Sequence, residues 1–361
     1  MSGGVDSSVA AALLAERLGP DQVVGATLKL WGGASDSGCC SVADVEDARR
    51  VADQLGLVHH VFNFADDFEA RVVEPYVRGH AEGRTPNPCI ECNRHLKFDR
   101  LLERATDLGF DAVATGHHAR RRTTADGRLR LCRGADPRKD QSYVLAMLGQ
   151  EQLARTVFPV GELTKAAVRE EAHRRGLRTA AKPDSQDVCF IRSDEGRAGF
   201  LEERMPLHPG RLVDHGTGED LGSVDAVEVV TVGQRRGMGH GGDGRRRFVT
   251  AVDVPARRVM LGPPEAACAP EVVLHTVTWV DGDPTTGRPA GSGGIGLIAQ
   301  CSAHGRPVPA LVSGHDAGES GHGAGLVVRF DTRQRRIAPG QTVALYDPHR
   351  PDEVVGSGIA R

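Results

Sequence analysis

The opening of the chain carries its most telling chemistry. Ser2-Gly3-Gly4-Val5-Asp6-Ser7-Ser8 sets two glycines, which let the backbone turn tightly and bare its N–H groups, ahead of two hydroxyl donors. A helical pattern follows and aims its positive end at the same point, so the segment predicts an anion cradle. It is not a Walker A loop, because the lysine of G-x-x-x-x-G-K-S/T is absent. A second chemical stretch is Pro86-Asn87-Pro88-Cys89-Ile90-Glu91-Cys92-Asn93, where prolines fix an extended loop and C-x-x-C presents two sulfurs. A third cysteine stands in Asp184-Ser185-Gln186-Asp187-Val188-Cys189-Phe190-Ile191, polar before it and apolar after it. Thiols in such settings serve structure, metal ligation or catalysis, and composition alone does not choose among the three.

These residues need elements to position them. Residues 7–18 read as a helix stopped at Gly19, and 23–30 as a buried strand. Residues 44–55 place Val45, Ala48, Ala52 and Leu55 on one helical face. A strand at 57–64, a helix at 68–80 and a short buried strand at 111–116 follow. The alternation predicts a parallel sheet with helices on both faces. A phosphate loop in such a sheet should follow a buried strand, yet this one begins at residue 2. The expectation is therefore that the true start codon lies upstream of Met1. After about Met205 the pattern changes to short Val-rich runs at 225–232, 248–254 and 257–261, which predict antiparallel strands and turns. Further strands are predicted at 272–280, 325–330, 341–346 and 354–359. The predicted division is an α/β domain over 1–206, a small β-rich domain over 207–270 and a C-terminal β-barrel over 271–361.

With 361 residues, 39% hydrophobic and 26% charged, the chain has the composition of a soluble globular protein of more than one domain. No apolar run approaches the roughly 18 residues that span a bilayer, and no signal-peptide pattern opens the chain. The expected location is cytoplasmic, with no membrane partner. Eight cysteines, sparse and irregular, do not make a secreted disulfide framework. A net charge of −3 gives no global sign of a nucleic-acid partner, but the basic residues cluster. Residues 117–139 hold eight Lys/Arg against Asp126 and Asp136, and 233–258 hold seven Arg against Asp243 and Asp253. Arg329, Arg333, Arg335 and Arg336 form a third group. Such zones suit phosphate contacts along an RNA, or equally the solvated faces of an Arg-rich protein.

The S-G-G-x-D-S segment resembles the pyrophosphate loop of the N-type ATP pyrophosphatases, which split ATP between its α and β phosphates and adenylate a carbonyl-type oxygen. Further stretches fall in order: Gly83-Arg84-Thr85-Pro86-Asn87-Pro88, Ala114-Thr115-Gly116-His117-His118, Lys139-Asp140-Gln141-Ser142-Tyr143, Phe158-Pro159-Val160-Gly161-Glu162-Leu163 and Gly233-Gln234-Arg235-Arg236-Gly237. With these and the cysteine motifs, the chain resembles the bacterial tRNA-specific 2-thiouridylases over nearly its whole length. The resemblance implies a parallel-sheet α/β domain of the adenine-nucleotide α-hydrolase-like (PP-loop) class, then a small β-rich domain and a C-terminal β-barrel. It implies that Ser2, Gly3, Gly4, Val5, Asp6, Ser7 and Ser8 hold ATP, with Mg²⁺, and that Leu28 and Gly116 line the adenosine pocket. Cys189 matches the cysteine that carries a persulfide, and Cys92 its partner nucleophile, able to form a disulfide with it. Lys139, Asp140 and Gln141 match a tRNA-contacting segment, and His117 and Gln341 are grouped with tRNA binding. The implied reaction adenylates the C2 oxygen of the wobble uridine in the anticodon loop of tRNA. Sulfur from a sulfur-donor or relay protein then replaces that oxygen, leaving 2-thiouridine, AMP and pyrophosphate.

Two departures matter. Some members carry Asp at the position of Cys89. Here Cys89, Cys92 and Cys189 make three thiolates, a set that also suits a 4Fe–4S cluster with one open iron, as an alternative to a persulfide–disulfide relay. The family's Arg-Tyr pair in the barrel appears as Cys301-Ser302-Ala303-His304-Gly305, so that tRNA contact is not carried over. A zinc site from Cys89, Cys92 and His95 fits no common four-ligand spacing. Cys39, Cys40, Cys132, Cys268 and Cys301 read as structural, and His59, His60 and His173 as non-catalytic. Two rival functions stand beside the main one. An ATP pyrophosphatase that ligates ammonia or an amine to a small substrate has no use for Cys92 and Cys189. A non-catalytic metal-binding RNA module has none for the phosphate loop.

Overall fold

The computed structural model describes residues 1–31, 41–184, 188–191, 194–238, 246–286, 293–315 and 325–361; Cys39, Cys40, residues 185–187, Asp243 and Arg245 lie outside them. The chain divides into two compact units, one of Met1–Val73, Pro88–Asp194 and Asp352–Val354, the other of Glu74–Asn87, Glu195–Pro351 and Val355–Arg361. Among the described residues no helix is long and apolar enough to cross a membrane.

The first unit is built on alternating helices and parallel strands. Helix α1 (Val5–Leu18) is Ala- and Leu-rich, and Gly19, at φ 91°, ends it with a conformation other residues resist. Strand β1 (Val24–Lys29), helix α2 (Val42–Gln54) and strand β2 (Val58–Asn63) follow, with Ser41 Oγ capping α2 by accepting from Asp44 N at 3.1 Å. β1 and β2 pair in parallel from Val24 with Val58 to Lys29 with Asn63. The helix predicted at 68–80 is α3 (Ala65–Phe68), a π-helical stretch Glu69–Val73 and α4 (Glu74–Ala81), the last lying in the second unit. A longer rod comprises α5 (Pro88–Cys92), a second π-helical stretch Asn93–Arg100, and α6 (Leu101–Asp107). Then come β3 (Val113–Ala114), the hairpin of β4 (Ala119–Thr123) and β5 (Leu129–Arg133), α7 (Gln150–Ala154), β6 (Thr156–Val157) and α8 (Lys165–Arg174). β3 and β6 are also parallel. The core that matters most for the site joins Val5, Val9, Ala10 and Ala12 of α1 to Val168 and Ala172 of α8. Burying each Val contributes about 1.5–3 kcal/mol, and the packing holds two helices together.

In the second unit, α9 (Gly196–Glu202) precedes a four-stranded sheet of β7 (Gly210–Asp214), β8 (Asp220–Val224), β9 (Phe248–Asp253) and β10 (Arg258–Gly262), ordered β8-β7-β10-β9. The sheet is not wholly antiparallel as expected, since β7 and β10 run parallel. The strand predicted at 225–232 is a 3₁₀ turn, Val227–Val229, because Val227 and Glu228 are both drawn into the interior. A closed six-stranded barrel ends the chain, ordered β11-β14-β13-β12-β15-β16. Its strands are β11 (Cys268–Trp279), β12 (Ile295–Gln300), β13 (Val308–His315), β14 (Gly325–Arg335), β15 (Thr342–Tyr346) and β16 (Val354–Ala360). Alternation along β14 puts Leu326, Val328 and Phe330 inside with Leu274, Val312 and Leu345. Cys301 follows the end of β12.

Candidate active site

At the start of α1, Gly3 adopts φ +68°, and a Cβ there would meet Asp44 O at 2.4 Å, so only glycine fits. Ser7 Oγ donates to Gly4 O at 3.1 Å and accepts from Ser2 N at 3.1 Å; Ser8 Oγ donates to Gly4 O at 2.8 Å. These bonds fold Ser2 to Ser8 into one compact turn. Gly4, the N-cap, offers no side-chain cap, which leaves the first-turn N–H groups of Val5, Asp6 and Ser7 for an incoming anion. Gly116, between β3 and β4, approaches the same turn so closely that a Cβ would lie 2.6 Å from Ser7 N. Leu28, half-buried, stands near the C-terminal end of β1, the end at which parallel sheets receive ligands.

Asp6 is the electrostatic centre of the turn. Lys165, the first residue of α8, donates from Nζ to both Asp6 carboxylate oxygens at 2.7 Å, and pairs with Asp184 Oδ1 at 2.9 Å. Asp184 also accepts from Lys139 Nζ and from Arg169, each at 2.8 Å. The ring of His118, buried, lies 3.1 Å from Asp6 Oδ1. Burial works to raise the Asp6 carboxyl, but hydrogen bonds from His118 and Lys165 outweigh it and hold it below the usual range. At Asp184 burial again opposes, and the bonds from Lys139 and Lys165 bring the carboxyl down to about 2. Asp184 and His118 stand in stretches that the sequence marks out, without a role of their own, and Lys165 is in none of them. The available signal was Thr164, a capping residue just after the Phe158 to Leu163 stretch, with its Oγ1 accepting from Ala167 N.

The cysteines belong to the same unit. Cys92 is buried at the end of α5, Cys89 is exposed one turn earlier, and Cys189 is half-buried. Cys92 adjoins the π-helical stretch Asn93–Arg100, a departure from regular helix that often accompanies function. α5 packs against the other π-helical stretch, Glu69–Val73. Its neighbour Phe68 meets Phe190 edge-on at 5.5 Å, and Phe190 also meets Trp31 at 6.2 Å. Buried contacts therefore run from the Cys92 helix to the residue beside Cys189. Among the described residues no three His, Cys, Asp or Glu side chains stand at a spacing that would hold a metal ion. His95 Nε2 instead lies 3.2 Å from Glu91 Oε2. Burial pushes the thiol of Cys132 up to about 11 and that of Cys301 to about 12, the condition of unreactive cysteines.

Residues grouped with tRNA binding divide sharply. Lys139 is exposed and, with Arg138 and Lys165, lines a cavity of about 500 Å³. Asp140 turns inward: its oxygens accept from Arg133, Gly134 N, Ser142 N and Ser142 Oγ at 2.7–3.0 Å. Gln141 braces the loop after β3, its Oε1 accepting from His118 N at 2.8 Å. His117 is buried between Phe98 and Phe158, with Nδ1 2.8 Å from Thr115 Oγ1, and burial lowers its pKa well below the ordinary value. Gln341, in the second unit, donates from Nε2 to Thr85 O, and Thr85 N donates to Pro339 O at 2.7 Å. Much of the first basic zone is consumed internally. Arg120 pairs with Asp352, Arg122 and Arg130 with the buried Glu353, and Arg121 donates to backbone carbonyls of Leu153, Ala154 and Thr156. Arg235 and Arg236 remain exposed on the turn after Gly233.

Family models match the chain in three consecutive parts: a tRNA methyl transferase HUP domain over residues 1–193, a tRNA methyl transferase PRC-barrel domain over 198–263, and an aminomethyltransferase beta-barrel domain over 271–360. Curated relatives named tRNA-specific 2-thiouridylase MnmA include that of Heliobacterium modesticaldum, 44% identical over 99% of this chain and 90% of its own length. That of Mycobacteroides abscessus is 46% identical over 99% of this chain and 97% of its own. That of Chloroflexus aurantiacus is 43% identical over 100% and 97%. By these full-length matches the chain belongs to the tRNA-specific 2-thiouridylase family.

Proposed function

We propose that the chain is an ATP-dependent tRNA-uridine 2-sulfurtransferase acting on the wobble uridine. The observation that carries this reading is the presence, in one unit, of an uncapped phosphate turn and two cysteines whose surroundings are joined through Phe68 and Phe190. A methyl transferase, the activity in the family models' descriptions, needs neither a pyrophosphate loop nor a thiol pair.

The uridine C2 oxygen attacks the α phosphorus of ATP, the bond from that phosphorus to the oxygen bridging the β phosphorus breaks, and pyrophosphate departs with the electron pair. Backbone N–H groups at the start of α1 and the hydroxyl of Ser2 receive the phosphate oxygens. Mg²⁺, when bound, offsets phosphate charge, and the Asp6 carboxylate is a suitable hard oxygen donor for it. The terminal sulfur of a Cys189 persulfide then attacks C2. The Cys92 thiolate attacks Cys189 Sγ, the persulfide S–S bond breaks, and AMP leaves with the former C2 oxygen. 2-Thiouridine and a Cys92–Cys189 disulfide result, and a thiol reductant resets the pair. A persulfide-bearing donor protein reloads Cys189. Arg235 and Arg236 are exposed cations that suit RNA phosphates. Of the three cysteines the relay uses two, Cys92 and Cys189.

The test omits any sulfur source and measures pyrophosphate released from Mg-ATP. Release that depends on unmodified tRNA supports the proposal. Release that ignores tRNA and depends on ammonia or an amine would replace it with the small-molecule ligase.

A further inference from the structure

The phosphate turn lacks a lysine of its own, yet a lysine is stored against it. The Lys165 ammonium donates to both oxygens of Asp6 at 2.7 Å and lies 2.9 Å from Asp184 Oδ1, so three carboxylate oxygens surround it. The side chain is 12% exposed. α8 starts at this lysine, and the α1–α8 core fixes where the helix begins. Both carboxylates that hold Lys165 keep another partner: Asp184 retains Lys139 and Arg169, and Asp6 retains His118. When Lys165 leaves its cage, Asp184 keeps two cations and Asp6 keeps a hydrogen-bond partner, so neither carboxylate is left bare, the usual obstacle to moving a buried ion. Lys165 and Lys139 line the 500 Å³ cavity with Arg138, so there is room beside the cage. Asp136, the carboxylate of that cavity, is already engaged, accepting from the backbone N–H groups of Lys165 and Arg138 at 3.0 Å.

We propose that Lys165 is a catalytic residue of the adenylation step: Asp6 and Asp184 store its ammonium, and the β and γ phosphates of bound ATP draw it off. It stays protonated throughout and hydrogen-bonds the pyrophosphate oxygens as the α–β bridge bond breaks and that oxygen takes the electron pair. The cation that other phosphate loops carry within the loop is here supplied from a separate helix. The inference rests on the adenylation reading above, but its binding arm does not need tRNA.

Labelled pyrophosphate–ATP exchange is followed with unmodified tRNA and no sulfur donor, in the wild type, Lys165→Met and Lys165→Arg. Lys165→Met should lower the maximal exchange rate by about 100-fold with a small change in KM for Mg-ATP, and Lys165→Arg should restore at least about a tenth of the rate. If Lys165→Met does not fold, the paired variant Lys165→Met with Asp184→Asn removes one charge of each sign, and the same loss is expected. A folded variant lacking Lys165 that exchanges within about threefold of the wild type overturns the proposal, as does a raised KM at unchanged rate. Should the wild type show no tRNA-dependent exchange, the tRNA reading fails. Calorimetry with Mg-pyrophosphate then decides on Lys165 alone: about tenfold weaker binding by Lys165→Met supports it, and equal binding refutes it.

Discussion

Gly116 shows how a single missing atom shapes the phosphate turn. A methyl group there would sit 2.6 Å from Ser7 N and 2.8 Å from Asp6 C, contacts that backbone atoms cannot yield to. Gly116→Ala should displace the turn and raise the dissociation constant for Mg-ATP by about tenfold or more, measured by calorimetry, while the melting temperature moves little. The turn itself was readable from sequence because its chemistry is local: seven consecutive residues contain the glycines, the hydroxyls and the carboxylate. Lys165 was not readable, since 159 residues separate it from Asp6 and only the packing of α8 on α1 brings them together. Asp140 and Gln141, which the resemblance matches to an RNA contact, bond within their own loop in the structure, a local bracing that charge and spacing do not reveal.

At the scale of elements, aromatic packing sets the position of Cys189. Phe190 is 5% exposed and contacts Trp31 and Phe68, so it anchors the residue before it. Phe190→Ala should slow 2-thiouridine formation by about tenfold or more, yet leave tRNA-dependent pyrophosphate release within about twofold of the wild type. Quantifying both products in one reaction checks this. Helix α4 gives a pH prediction. His80 is fully buried, with Nδ1 2.9 Å from Glu228 O, and burial lowers its pKa to about 4 against 6.5 for the free side chain. Its contribution to stability is complete above pH 6.5. As pH falls from there toward about 4, the unfolded chain takes up the proton first, and stability drops by at most about 1.4 kcal/mol per pH unit. Denaturant unfolding at several pH values should show a shallower slope in His80→Asn, whose amide can replace Nδ1 as donor. Equal slopes would remove His80 from the account. Sequence placed this residue on a helix, but its burial depends on the 3₁₀ turn at Val227–Val229, where a strand was expected.

Across the whole molecule, the C-terminal part holds the loop that leads into the cysteine helix. Thr85 is bonded from both sides, by Gln341 Nε2 at its carbonyl and by Pro339 O at its N–H. Gln341→Ala should therefore lower thiolation by about tenfold while calorimetric ATP binding stays unchanged. The layer architecture was legible in the shift from helical periodicity to Val-rich alternation, and the closed barrel accounts for that alternation in β14. Charge counting was less informative. Arg120, Arg122, Arg130 and Arg133 are drawn into ion pairs with Asp352, Glu353 and Asp140, and charge patterns do not reveal such tertiary partners. The central claim, adenylation followed by sulfur delivery from Cys189, is tested most directly by mass spectrometry of digested tRNA. Wild type and Cys189→Ser are each incubated with unmodified tRNA, Mg-ATP and a persulfide donor. The account predicts 2-thiouridine at the wobble position from the wild type and none from Cys189→Ser, with pyrophosphate release from both within about twofold. Equal 2-thiouridine from the two proteins, or none from a wild type that still releases pyrophosphate on tRNA, would contradict it.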